Sequence, residues 1–237
     1  PRCWTDDTDR RQQAGVPDDV TFATKPALAA DMITRAVTGG VPVSWVTGDE
    51  VYGACPQLRA TIRRHSLGYV LAVASNHRVT YPGADEADLA GDLARTALQW
   101  QRLSAGIGSK GLRYYSWARL PIEPEDGSGG HHWLLIRRND ATGELAYYRC
   151  YHPTNITLDE LVVVAGKRWR IEESFQAGKG HVGLDQHQVR RWSSWHRWTT
   201  LAMLAHALLT VLAATIRDTD TSSGLIPITL AEVRRLL

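Results

Sequence analysis

A strand, a short helix and a second strand follow one another between residues 41 and 74, and this order restricts the fold more than any other feature. The apolar run at 41–47 predicts a largely buried strand, Pro56 opens a helix that closes near Gly68, and residues 69–74 predict a second strand. A βαβ unit of this kind has parallel strands joined by a right-handed crossover. We therefore predict an α/β protein.

Asp49 follows the first of these two strands directly. In parallel sheets, functional residues gather at the carboxyl ends of the strands, so Asp49 is a candidate catalytic or metal-binding residue. The alternative is an ordinary loop aspartate that caps the helix after it, a role that aspartate fills well.

A second candidate lies in residues 167–179, which we predict to be the end of one continuous helix over 158–179. At about 100° per residue, that helix places Glu172 on one face with the set Arg168, Phe175 and Lys179. A carboxylate between two cations can hold a hard metal ion while the cations hold phosphates. The alternative is a solvated amphipathic helix with a chance Arg–Glu pair.

The spacing Arg-x3-Glu-x6-Lys resembles the Tyr-x2-Arg-x3-Glu-x6-Lys signature of bacterial insertion-sequence transposases of the DDE type. The resemblance implies that Glu172 is the catalytic glutamate and Asp49 the second catalytic aspartate, both of them ligands of Mg²⁺ or Mn²⁺, with two ions in a complete site. It also implies that Arg168 and Lys179 contact DNA phosphates. Ala165 stands where the signature has tyrosine, so the tyrosine hydroxyl is absent here.

The same resemblance implies a ribonuclease-H-like fold with a β-rich insertion between the second aspartate and the glutamate. The implied division is a catalytic domain of 1–74 and 155–217, an inserted subdomain of 75–154 and a tail of 218–237. No part of the chain corresponds to the first strand or its catalytic aspartate, and Asp6 and Asp7 lie in a predicted polar loop. We therefore expect a fragment that is inactive alone.

For the full-length protein, the resemblance implies a homodimer on paired DNA ends, in a bacterial cytoplasm near the nucleoid. Two other functions stay open. One is a DNA-binding module without catalysis, and the other is an unrelated metal-dependent nuclease.

Between the two candidate carboxylates, the pattern predicts a helix over 87–103 and an antiparallel meander of three strands at 114–122, 133–138 and 145–151. Lys110 and Arg113, near several aromatic residues, could hold a DNA strand and stack on a base. The alternative is that these aromatic side chains pack the core of the meander.

Charge is distributed unevenly, although the formal net charge is only +2. Residues 167–197 carry seven Lys or Arg, including Arg190, against three acids. This excess suits a phosphate backbone, although a basic patch can also be a solvated face.

Three cysteines, far apart and in no Cys-x-x-Cys pattern, argue for a reducing cytoplasm and against a zinc site. Residues 198–216 carry no formal charge and could just span a bilayer. We predict a buried core helix there and no membrane partner. We predict mostly loop, with a strand at 20–24, for the first 24 residues.

Overall fold

The computed structural model describes residues 2–96, 99–108, 111–219 and 228–237. These residues form two compact units. The first, here the sheet unit, is Ala23–Arg168, and the second, the helical unit, combines Pro1–Phe22 with Trp169–Leu237. The division into domains implied by the resemblance stays a prediction.

The strands, in chain order, are β1 (Trp45–Gly48), β2 (Gly68–Val73), β3 (Arg78–Val79), β4 (Asp88–Leu89), β5 (Gln101–Gly108), β6 (Gly111–Pro121), β7 (His131–Arg138) and β8 (Leu145–His152). The helices are α1 (Arg2–Thr5), α2 (Thr8–Ala14), α3 (Lys25–Thr38), α4 (Glu50–Gly53), α5 (Pro56–Arg64), α6 (Ala90–Leu93), α7 (Leu158–Lys167), α8 (Trp169–Val182), α9 (Trp192–Thr219) and α10 (Leu230–Leu236).

The sheet unit contains one six-stranded mixed sheet in the order β1-β2-β8-β7-β6-β5. β1 and β2 are parallel, and the other neighbours are antiparallel. The predicted α/β class, the parallel βαβ pair and the antiparallel meander are therefore confirmed. The strands of the meander continue the same sheet, because β8 pairs with β2.

Alternation along β2 shows how this sheet is covered on both faces. Tyr69 and Leu71 point into a cluster with α5 and α3, whereas Val70 between them points into a cluster with α7. The sheet is thus the middle layer between helices, and its core is built from both faces. β1 is only half-buried, which corrects the expectation of a largely buried strand.

The predicted helix over 87–103 is wrong. Within 87–96 and 99–103 the structure has the two-residue β4, the four-residue α6 and the start of β5. Ala90 and Leu93 bury their side chains in a cluster with strand residues, and Trp100 packs on it. The apolar residues whose spacing predicted one long helix therefore belong to a short helix and to the start of a strand.

The helix predicted over 158–179 is interrupted at Arg168, whose backbone N–H donates to Ala165 O in a tighter i to i−3 bond of 3.3 Å. The buried face of α7 ends at Gly166, while α8 buries only Gly178. The helix is therefore interrupted where its buried face ends. The spacing of apolar residues in the sequence did not indicate this interruption.

In the helical unit, α9 is the longest helix and packs on α8 and α10. It is not the predicted buried core helix, because only 17% of its apolar 18-residue window is buried. Its length and composition would also allow it to cross a membrane. Large side chains are exposed along it, among them Leu201, Met203, Leu204, Leu208 and Val211.

The amino-terminal residues also differ from expectation. Asp7 caps α2 by accepting a hydrogen bond from Arg10 N at 2.9 Å, and Gly15 ends that helix with a φ of 66°. Two helices therefore replace most of the predicted loop, and residues 20–24 form no strand.

Candidate active site

Asp49 lies where the parallel pair ends. β1 ends at Gly48, and Asp49 caps α4, where its Oδ1 accepts a hydrogen bond from Val51 N at 2.9 Å. The expected position at the carboxyl end of a strand is confirmed. The capping alternative is also realised, but capping and metal binding are compatible because a carboxylate has several lone-pair sites.

Close packing holds the backbone beside Asp49. A Cβ on Gly53 would lie 1.9 Å from Ala72 O, so α4 rests directly on the end of β2. A Cβ on Gly48 would meet Tyr52 and Leu71 side-chain atoms at 3.1 Å. Residues 48–53 therefore tolerate little displacement.

A cavity of about 440 Å³ opens beside this turn in the sheet unit. Its lining comes from α4 and from the residues after β2: Glu50, Val51, Ala54, Ala74, Asn76, His77 and Arg78. Sequence reasoning assigned no role to the last three. The sequence did contain a signal for them, because they follow β2, and neighbouring parallel strands end at the same edge of a sheet.

His77 is held as a neutral ring. Its Nε2 lies 3.4 Å from Nη1 of Arg149, and because a guanidinium only donates, Nε2 accepts and the proton resides on Nδ1. Burial lowers the His77 pKa, and the charges of Arg149 and Arg59 lower it further. The cavity therefore gains a polar group without a charge at neutral pH.

Glu172 lies in the helical unit, on an exposed face of α8 with Phe175 and Lys179. Arg168 is the last residue of the sheet unit, so the predicted stripe is divided between the two units. Asp49 and Glu172 likewise belong to different units. Among the residues that the structure describes, no three His, Cys, Asp or Glu side chains form a group that could hold a metal ion. Within the described residues, neither Asp49 nor Glu172 therefore belongs to a group of three such donors.

Of the predicted DNA-binding residues in the β-rich region, Lys110 lies outside the described residues. Arg113 is engaged within the fold, where its Nη2 donates to Ala105 O at 2.9 Å and to Gly166 O at 3.0 Å. It thus joins β5 to the end of α7.

Most aromatic side chains of the meander pack within the protein, as the alternative predicted. Trp117 and Trp133 are buried, and Arg119 lies over the Trp133 ring at 5.4 Å. Tyr114 is the more exposed ring, with Arg102 over it at 5.1 Å.

Arg190, by contrast, is exposed and lines a concave surface of the helical unit with a volume of about 770 Å³. Arg10 and Arg191 line the same surface, with Gln13, Ala14 and Val189. Three arginine side chains therefore line one depression, and one of them, Arg10, is also paired with Asp7 at 3.5 Å.

An α/β sheet with an acidic residue and a cavity at the carboxyl ends of its parallel strands is an arrangement typical of enzymes. The family model described as DDE superfamily endonuclease matches residues 1–104, and this match supports a DDE-type transposase-like domain. The matched residues include Asp49 and the whole cavity but not Glu172. No curated protein matches the chain. The family indicates a nuclease- or transposase-type function, implies DNA as the substrate, and generally uses divalent metal ions.

Proposed function

We propose that the chain is part of the catalytic region of a DDE-type transposase, which cleaves DNA strands and transfers them in cut-and-paste transposition with the help of metal ions. The observation that carries this proposal is the position of Asp49, at the carboxyl end of β1, beside a cavity and inside the residues that match the endonuclease family.

In this proposal, Asp49 and Glu172 are two of the oxygen ligands of Mg²⁺ or Mn²⁺. When bound, the ions would activate a water or a DNA 3′-hydroxyl and stabilise the leaving oxygen. Arg168 and Lys179 would hold phosphates, arginine as a planar fork and lysine as a point charge. Arg190 would contact the DNA backbone outside the reacting position.

The third carboxylate of the set would come from outside the described residues. β1 pairs with β2 alone in the described sheet, so its other edge is open to a further strand. A ribonuclease-H-like sheet with its first aspartate on that strand would complete the site. We therefore propose that the 237-residue chain is catalytically incomplete alone, and that the complete protein is a cytoplasmic dimer that acts on paired DNA ends.

DNA nicking tests this proposal. We expect the purified chain to produce little or no Mg²⁺-dependent nicking of a duplex that carries a transposon end. Nicking that is lost in both Asp49→Ala and Glu172→Ala would contradict the incompleteness while keeping the catalytic roles. Nicking that is unchanged in both variants would contradict the catalytic roles.

A second candidate, DNA binding without catalysis, is favoured by the arginine-lined surface of the helical unit. Arg190→Ala should weaken binding to duplexes of any sequence and reduce the salt slope of log K by about 1. Asp49→Ala should leave DNA affinity unchanged under this second function. If the chain is instead part of a transposase catalytic region, Asp49→Ala should abolish the part of the DNA affinity that depends on Mg²⁺.

A further inference from the structure

A buried charge network joins the loop between β6 and β7 to the helix that Asp49 caps. Arg59, on α5, is almost fully buried, and its Nη1 donates to Gly53 O at the end of α4. Its Nη2 forms an ion pair with Oε2 of Glu125 in that loop. One guanidinium therefore connects Glu125 to the backbone four residues after Asp49.

The same carboxylate holds a second buried guanidinium. Oε1 of Glu125 lies 3.2 Å from Nη1 of Arg149, and this Nη1 also donates to His77 Nε2. Arg149 Nη2 donates to Glu123 O at 3.3 Å, in the same loop. The network thus reaches α4, whose residues line the cavity, through Gly53, and reaches the cavity residue His77 directly.

Electrostatics favour an ionised Glu125 in this position. Burial alone would raise the Glu125 pKa, but Arg149 and Arg59 outweigh it, and the pKa is lowered. Among the described residues, this carboxylate is ion-paired with both buried guanidinium groups. The arrangement is therefore sensitive to the loss of a single negative charge.

Stability alone is a weak explanation for such a network, because apolar residues of similar volume often hold a fold equally well. Glu125 is itself 41% exposed at its side chain, and it lies in a loop rather than in the core. The network binds two groups at one edge of the sheet. These are the carbonyl of Gly53, which ends α4, and the ring of His77.

We propose that Glu125 is a positioning residue. It acts through Arg59 and Arg149 to hold the turn that contains Asp49, and the ring of His77, in fixed positions beside the 440 Å³ cavity. The loop between β6 and β7 thereby sets the orientation of a metal ligand that it does not contact. This inference rests on the proposed metal-binding role of Asp49.

The test compares Glu125→Gln with Asp126→Asn in the full chain. Both changes remove one negative charge from the same loop while keeping the side-chain shape. Asp126 pairs with Arg63, which lies on α5 and donates its other hydrogen bond to Tyr69 Oη on β2, so Asp126→Asn is the matched control. Amide NMR spectra of both variants report the backbone of residues 49–53, and the His77 ring resonances report its pKa.

We expect Glu125→Gln to shift the amide resonances of residues 49–53 and to lower the His77 pKa further, because Glu125 is the charge that raises it. Asp126→Asn should do neither. The Mn²⁺ concentration that half-broadens the Val51 amide should rise about 10-fold in Glu125→Gln, as for other groups that orient a metal ligand. Equal spectra at residues 49–53 in Glu125→Gln and wild type would overturn the proposal.

If Glu125→Gln does not fold, Glu125→Asp keeps the charge but withdraws the carboxylate from the two guanidinium groups, and the same shifts are expected. If it folds with wild-type spectra at residues 49–53, the proposal is refuted. An absence of Mn²⁺ broadening at Val51 in the wild type would refute the metal-binding role of Asp49. The amide shifts would still decide the positioning role, so the two failures are distinguishable.

Discussion

The contact between α7 and β5 gives a sharp prediction about stability. Gly166 lies where the two backbones touch, and a Cβ built on it would be 1.9 Å from Ala105 O. An ordinary contact begins at about 3.4 Å, so Gly166→Ala requires the backbones to separate by about 1.5 Å. Arg113 opposes this separation, because it binds both carbonyls.

Two opposing effects set the magnitude. Alanine favours a helix over glycine by about 1 kcal/mol, which would stabilise α7. Overpacking of a rigid contact costs about 1–3 kcal/mol, and a clash with backbone on both sides belongs at the upper end. We expect a net loss of about 2 kcal/mol, or a fall in Tm of about 4–8 °C for a unit of this size.

Urea unfolding followed by circular dichroism measures this change. Gly129→Ala is the matched control in the same unit, because Gly129 has no positive φ and a Cβ there would meet nothing within 4 Å. The control should change stability by less than about 0.5 kcal/mol. If Gly166→Ala were as stable as the wild type or more stable, helix propensity would outweigh the clash and the reasoning would be refuted.

Two further predictions concern buried titratable groups. Cys150 is fully buried, and burial raises its thiol pKa. A thiol reagent should therefore modify the exposed Cys3 and the partly exposed Cys55 in the native chain but reach Cys150 only after unfolding. Rapid labelling of Cys150 without denaturant would contradict the buried position. Burial and nearby arginines lower the pKa of His132 from 6.5 to about 4, so the neutral ring stabilises the fold fully above pH 6.5 and this contribution is lost as pH falls towards 4. The loss is on the order of 3 kcal/mol at most. Urea unfolding at several pH values should show that the free energy of unfolding depends less on pH in His132→Gln than in the wild type. The same pH dependence in both would contradict the lowered pKa of His132.

The elements that the sequence predicted well are those with local signals. Pro56 and the apolar strands on either side of its helix identified the βαβ unit. Parallel pairing then followed from the helical connection between the two strands, and with it the position of Asp49. Short-range chemistry was sufficient for these features.

The elements that the sequence did not predict depend on contacts far apart in the chain. The break at Arg168 coincides with the loss of buried neighbours after Gly166, and the burial of Arg59 depends on Glu125, 66 residues away. The apolar run in α9 indicated a buried helix, but apolar composition does not specify what covers a surface. Arg113 showed the same limitation, because a basic residue near aromatic residues resembles a DNA contact until its carbonyl partners are known.

The position of the bound metal tests the central claim most directly. Fe²⁺ can replace Mg²⁺ at oxygen-rich sites, and with ascorbate and peroxide it cleaves the protein backbone beside the ion. With duplex DNA present, we expect cleavage near Asp49 that Mg²⁺ suppresses and Asp49→Asn abolishes, while Asp126→Asn leaves it unchanged. Cleavage elsewhere, or the same pattern in Asp49→Asn, would contradict the assignment of Asp49 as a metal ligand.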